Sequence, residues 1–158
     1  MVDEIKISVF LLRLAMGILF IYSAITKFMD PQWTAATYIT DAHTFHSMYQ
    51  WMIAPERIGI INLLSKWGEL LIGISLITGM TVRIASVSGI IMMLLYYFPV
   101  LQFPYAGQHG YIVDEHIIYA LMFFFFLQVN ASDYFGLGGL IHRKTKIGDQ
   151  KWIAIFVR

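Results

Sequence analysis

The sequence predicts an all-α integral membrane protein, a four-helix bundle with a helical outer loop. Three observations lead there. Hydrophobic residues make up 58% of the 158-residue chain and charged residues 13%, against roughly 25% charged in an average soluble domain. A soluble fold of this size leaves too much surface exposed to hide that apolar content, whereas lipid covers it. Four apolar runs, about 5–28, 58–79, 82–103 and 115–135, each reach the roughly 20 residues that cross a hydrocarbon core. In lipid a single apolar run satisfies its backbone only as a helix.

The first run follows MVDEIK. Two acids and a long apolar stretch read as a retained membrane helix rather than a cleaved signal peptide. Within the loop at 28–59, Asp30-Pro31 predicts a helix start, with aspartate as N-cap and proline at the first helical position. Phe45, Met48, Tyr49 and Met52 fall at i, i+3, i+4 and i+7 and predict a second short helix that Pro55 ends. Short helices within 30–54 thus lie in the outer interface or pack over the bundle. Trp33, Trp51, Tyr105 and Tyr111 belong to an outer aromatic belt. Pro99 and Pro104 kink and then stop the third run. Small residues in the second and third runs (Gly68, Gly73, Ala85, Ser86, Ser88 and Gly89) predict close helix contacts.

GLGG at 136–139 ends the fourth helix. The bundle domain is therefore assigned to 1–140 and a basic tail to 141–158, whose KWIAIFVR end suits the inner interface or a partner chain. Lys6, Arg83 and the tail fall on one side of four crossings, and Lys27 and Arg57 on the other. That asymmetry predicts a multi-pass protein of the cell membrane with both termini cytoplasmic.

The net charge of +1 argues against a nucleic-acid partner. The absence of cysteine removes thiolate chemistry and cysteine-ligated clusters. His43 and His46 stand three apart beside Asp41 with no third strong ligand in register, and they read as interface histidines rather than a metal site. No metal centre is assigned, and no dinucleotide, Walker or zinc-protease motif is visible.

Ionisable residues at membrane depth cost at least about 2.5–3.5 kcal/mol near a helix centre and mark candidate sites. Counted from the helix ends, Arg13 and Glu69 lie at similar depths, which makes them the expected buried ion pair. Lys66, three residues before Glu69, shares its face. Glu69, Arg13 and Lys66 are the candidate catalytic set. The competing reading of the set is a lock on helix register. Near the outer face Lys27, His109, Asp114, Glu115 and His116 form a second cluster. The two acids also suit the fourth helix's N-terminal dipole, and His116 places in an apolar helix the residue type suited to passing protons. At the inner face Arg83 and Asp133 read as a structural latch. His116, Glu115, Lys27 and Arg83 are the candidate ligand-binding residues.

RLAMGILFIYSAITKF at 13–28, GELLIGISLITGMTVRIAS at 68–86 and DEHIIYAL at 114–121 resemble the DoxX/DoxD family of small four-helix membrane proteins. The residues that carry the resemblance are Arg13, Gly17, Phe20 and Lys27, then Glu69, Gly73, Gly79, Arg83 and Ala85. Ser23-Ala24 depart from it, since family members often have a glycine before the lysine. The resemblance implies a membrane subunit linked to electron transfer. The family includes the DoxD subunit of archaeal thiosulfate:quinone oxidoreductase, which works with a DoxA partner, and other members resemble anchors in thiol and oxidative-stress complexes.

Two readings follow. In the first, the chain is a quinone-reactive oxidoreductase subunit: quinone is its substrate, electrons come from a DoxA-like or other partner protein, and Arg13, Lys66 and His116 stabilise charge while Glu69 or Glu115 handles the proton. In the second, it is a non-catalytic structural or assembly subunit of a larger membrane respiratory or oxidase complex. A small transporter is disfavoured, since no inverted repeat or mid-membrane helix break is visible.

Overall fold

The computed structural model describes residues 2–107, 110–131, 134 and 136. It is mainly helical. The long helices are α1 (Val2–Met29), α4 (Ile58–Thr78) and α5 (Val82–Val100), joined by the shorter α6 (Glu115–Gln128). Two short helices, α2 (Ala36–Ile39) and α3 (His46–Met52), fill the loop between α1 and α4. The first three long helices are each long and apolar enough to cross a membrane. At 14 residues, α6 spans only about 21 Å. Its expected extension to residue 135 stops at Gln128, and Asn130 takes a left-handed backbone just beyond.

Each helix turns a narrow stripe inward and its apolar remainder outward, as lipid allows. On α1 the buried stripe is Val9, Arg13, Met16, Phe20 and Ala24, with helical spacing. Ile18, Tyr22 and Ile25 on α1, Leu63, Leu64 and Leu71 on α4, and Leu121 and Phe124 on α6 all face out. The helices pack as two antiparallel pairs, α1 with α4 and α5 with α6, held together by α4 against α5.

Glycine makes the first pair possible. A Cβ placed on Gly17 would stand 3.0 Å from the Gly73 carbonyl, and one on Gly73 would stand 2.9 Å from the Gly17 carbonyl. Small residues let backbones approach closely, one of the ways helices associate in lipid. Gly89 plays the same part in the second pair, where the ring of Phe123 fills the space its Cβ would take. The expected small-residue contacts are thus met at Gly68, Gly73, Ala85, Ser86 and Gly89, while Ser88 faces outward.

The loop between α1 and α4 packs over one end of the bundle. Asp30 does not start a helix, as its sequence suggests. Its side chain instead accepts the Gln32 N–H at 2.9 Å, an Asx turn, and α2 begins only at Ala36. Asn62 of α4 pins this turn region, accepting from the Ala35 N–H at 2.8 Å and donating to the Thr34 hydroxyl at 3.2 Å. Ala35, Ile39, Ala42 and Tyr49 form the buried underside of the loop.

Pro99 explains why Tyr49 is buried. It lies inside α5 and lacks the N–H that would bond the carbonyl of Leu95 four residues back. The Tyr49 hydroxyl donates to that carbonyl at 3.0 Å. A carbonyl orphaned in an apolar surrounding would otherwise cost a few kcal/mol. Past Val100 the chain leaves the helix earlier than its sequence suggests. Leu101–Gln102, Tyr105–Ala106 and Gly110–Tyr111 make a small antiparallel sheet, β1 to β3. Tyr97 donates its hydroxyl to the Ile112 carbonyl and ties this sheet to α5. The expected belt residues Trp51, Tyr105 and Tyr111 are exposed at this loop end, but Trp33 is half-buried. GLGG at 136–139 lies largely, and the tail at 141–158 wholly, outside the described residues.

Gly73→Val should destabilise the detergent-solubilised protein by roughly 1–3 kcal/mol of overpacking. Gly59→Ala, where a Cβ meets nothing within 4 Å, should leave the thermal midpoint unchanged or raise it. Tyr49→Phe should cost roughly 1–3 kcal/mol by stranding the Leu95 carbonyl. Burial pushes the Tyr49 hydroxyl from 10.0 up to about 12. The fold therefore holds the protonated form, and the contribution is complete below pH 10 and lost as pH rises through about 12. Alkaline unfolding curves should show that loss in the native chain and lack it in Tyr49→Phe.

Candidate functional site

The charges in the bundle separate into two places about 15 Å apart along α4, ten residues at the helical rise. At one end is Arg13, fully buried. Its Nη1 donates to the carbonyl of Ala131 at 2.6 Å, just beyond the C-terminus of α6. Its guanidinium also lies against Gly79, the C-cap of α4, where a Cβ would come within 3.0 Å of both terminal nitrogens. Two helix C-termini converge there, each the negative end of a dipole with unsatisfied carbonyls. A buried guanidinium is well matched to both. Gly79 serves twice, since its φ of +71° is left-handed and its missing side chain makes room for the arginine.

At the other place is Glu69, 2% exposed. Its Oε1 accepts from the Lys27 ammonium. The expected pairing of Arg13 with Glu69 is therefore corrected to Lys27 with Glu69. The reason is the offset of α1 on α4. Gly17 faces Gly73 and Arg13 faces Gly79, so α1 overhangs the end of α4 by about 16 Å, the length of its residues 2–12. Depths counted from the two helix ends are not comparable across such an offset.

Lys27 also lies over two aromatic rings, 5.2 Å from the centre of Trp33 and 5.2 Å from that of Tyr96. Lys66 covers Trp33 at the same 5.2 Å and Phe28 at 5.9 Å. Trp33 thus serves both ammonium groups, and each gains cation–π attraction where water is scarce. Lys66 does not share the Glu69 carboxylate, although it lies one turn away.

A cavity of about 510 Å³ opens beside this pair, within the usual size range of small-molecule sites. Its walls come from α1 (Phe20, Ser23), α4 (Ser65), α5 (Met93) and α6 (Tyr119), and α2 roofs it with Ile39. Lys27, Glu69, Trp33, Tyr96, Glu115 and His116 supply its functional groups. Two of these are buried without a satisfied hydrogen bond. Among the described residues none gives Glu69 Oε2 a well-formed hydrogen bond. The Tyr96 hydroxyl lies beside Ser65 and Glu69 but reaches neither in good hydrogen-bond geometry. Buried polar atoms are nearly always paired, so each such exception calls for an explanation; the Ser86 hydroxyl, away from the cavity, is another.

At the far wall Asp114 caps α6, accepting from the N–H groups of His116 at 3.0 Å and Ile117 at 3.2 Å. This is the helix-start role expected of it. The same carboxylate holds His116 Nδ1 at 2.6 Å, and the His116 ring meets Tyr96 edge-on at 6.1 Å.

Of the seven residues singled out in the sequence, Lys27, Glu69, Glu115 and His116 line one cavity. Arg13 stands at the opposite end, and Lys66 lies behind Trp33. Arg83 is exposed on the first turn of α5, and its expected partner Asp133, like His109, lies outside the described residues. His46 bonds the Ala42 carbonyl at 3.0 Å through Nδ1. Tyr96 and Ser65 were not singled out from the sequence. Tyr96 carried a signal there: a hydroxyl on a membrane helix one turn before Pro99 needs a polar surrounding.

Lys27→Met should cost about 3–5 kcal/mol, because it strands a buried carboxylate. The double variant Lys27→Met with Glu69→Leu should recover most of that loss, read as the thermal midpoint in one detergent.

Residues 8–101 match the DoxX family model. The match runs from the first turns of α1 to the end of α5 and includes Arg13, Lys27, Glu69 and Tyr96, while Glu115 and His116 fall beyond it. No curated protein and no solved structure matches the chain significantly. The matched span is well over half of the chain, and its residues build both the glycine contact of α1 with α4 and the ion pair beside the cavity: the chain belongs to the DoxX family.

Proposed function

We propose that the chain is the membrane subunit of a quinone-linked oxidoreductase and that the cavity beside Lys27 and Glu69 receives the quinone ring. One observation carries the reading. A buried carboxylate, paired through one oxygen and without a well-formed hydrogen bond from any described residue at the other, stands beside the Tyr96 hydroxyl in a cavity whose wall is mainly apolar. A quinone needs an apolar slot for its ring and a few polar groups at its carbonyls.

Reduction of a quinone to a hydroquinone takes two electrons and two protons. The electrons come from a partner protein's redox centre, and the protons pass through this chain. Lys27 and the Tyr96 hydroxyl favour negative charge on a ring oxygen, and Glu69 is placed to hand over or receive a proton. Arg13 acts at a distance by fixing the ends of α4 and α6. Lys66 acts through Trp33. Arg83 belongs to the opposite end and takes no part in the cavity. The lysine and arginine pattern supports a cell-membrane protein with the loop end outside and both termini cytoplasmic.

A second reading, a structural subunit that docks a larger complex, is favoured by the exposed aromatics of the loop end, with Phe103 80%, Tyr105 61% and Tyr111 66% exposed. Binding separates the two. Trp33 lines the cavity, so a short-chain benzoquinone should quench the protein's fluorescence saturably, and Trp33→Phe should remove most of that signal. Glu69→Gln should weaken binding by about ten- to a hundredfold, the value of one charged hydrogen bond. Linear, unsaturable quenching, with full activity of the assembled complex in Glu69→Gln, would favour the docking subunit.

A further inference from the structure

We infer that His116 is the proton-exchange residue through which the Lys27–Glu69 cavity communicates with the loop face of the membrane. The inference deepens the proposed ligand site and rests on that reading for its purpose, though not for its test.

A second cavity of about 490 Å³ lies at the loop end, under the small sheet. Its walls include Ala106, Gly107, Gly110 and Val113, and Gly107 and Val113 are exposed. Val100, Glu115 and His116 line both this cavity and the one beside Glu69. They are the residues that the two cavities share. Val100 has no titratable group, and Glu115 is exposed at the rim. Of the two titratable members His116 is the more buried, with its side chain 22% exposed.

The surroundings of His116 suit proton exchange. Asp114, its side chain 7% exposed, fixes Nδ1 at 2.6 Å. In the neutral ring that nitrogen carries the hydrogen and donates it to the carboxylate, which leaves Nε2 as the basic atom. Nε2 bonds no described residue. Beyond the ring, Tyr96 of α5 stands edge-on, its hydroxyl beside Glu69 of α4, and Lys27 of α1 lies over the Tyr96 ring. Glu115 and Tyr119 are the other titratable groups of α6 that line the first cavity. His116, Tyr96 and Glu69 thus stand in that order from the loop-end cavity inward, the first two in edge-on ring contact and the last two side by side.

The transfer moves protons only. Nε2 takes one proton from water in the loop-end cavity, and the imidazolium is held by the Asp114 carboxylate. Nε2 then gives the proton up on the inner side, from where it reaches Glu69 over the Tyr96 hydroxyl or water in the cavity, and the ring returns to its neutral form. No bond to carbon changes and no electron moves. Histidine, which titrates near neutral pH, is the side chain suited to such a step.

The test uses the full chain in membrane vesicles with pH set separately on the two sides. The chain has no cysteine, so Gln102→Cys with an impermeant thiol reagent reports which side the loop end faces. A hydrophobic carbodiimide modifies protonated buried carboxyls, and mass spectrometry reads its addition to Glu69. Acidifying the loop side should raise labelling promptly, and acidifying the other side should not. His116→Gln and His116→Asn should slow that response by about a hundredfold, the lower range for a positioned proton-transfer group. Both variants should still reach native labelling when both sides are held acidic for long times, which shows the fold and Glu69 intact. Asp114→Asn should slow the response in the same direction. A native rate in both His116 variants, or labelling that follows the opposite side, would overturn the inference. Protection of Glu69 by a short-chain quinone is a separate arm that reads the ligand assignment alone.

Discussion

A carboxylate buried in the middle of a lipid-facing bundle constrains everything around it. Glu69 can remain charged there only with a cation close by, and Lys27 is that cation. To deliver Lys27, α1 must run close along α4 and in a fixed register. Gly17 and Gly73 supply the closeness, and their reciprocal contact sets the register. The same register carries Arg13 past the end of α4, where it meets the carbonyl end of α6. One offset between two helices therefore places both buried cations, one at a site and one at a joint.

The roof depends on the same chain of causes. Pro99 frees a carbonyl on α5, Tyr49 answers it, and the loop that carries Tyr49 is thereby held over the bundle. That loop brings Trp33 between Lys27 and Lys66 and closes the cavity with Ile39. A helix break that would be costly in lipid is thus turned into an anchor. Among the described residues, Glu69 Oε2 and the Tyr96 hydroxyl stay without a well-formed hydrogen bond beside the cavity, and the Ser86 hydroxyl does so on the buried face of α5 away from it.

Much of the fold was legible in the sequence because lipid leaves so few options. Long apolar runs had to be helices, and their small residues had to mark contacts. The second short helix was legible from its 3.6-residue spacing, and Tyr49 is the member of that set most fully buried. Details that depend on tertiary competition were not legible. Asp30 made a turn instead of a cap because Asn62 holds the following backbone. The third helix ended at Val100 because the residues after it pair as a sheet. The fourth helix ended at Gln128, short of its apolar run. Within the site, Lys27, Glu69, Glu115 and His116 were visible as charges in apolar surroundings, but their grouping was not. Pairing by depth failed for Arg13, since depth from a helix end says nothing about how far one helix overhangs another.

The offset of α1 on α4 is the point on which the account turns, and the absence of cysteine from the chain allows it to be measured directly. Two paired variants, Lys27→Cys with Glu69→Cys and Arg13→Cys with Glu69→Cys, are treated in membranes with a short bifunctional thiol reagent and followed by intramolecular cross-linking. The register described here predicts efficient linkage of positions 27 and 69 and none between 13 and 69. Linkage of 13 to 69 without linkage of 27 to 69 would contradict it.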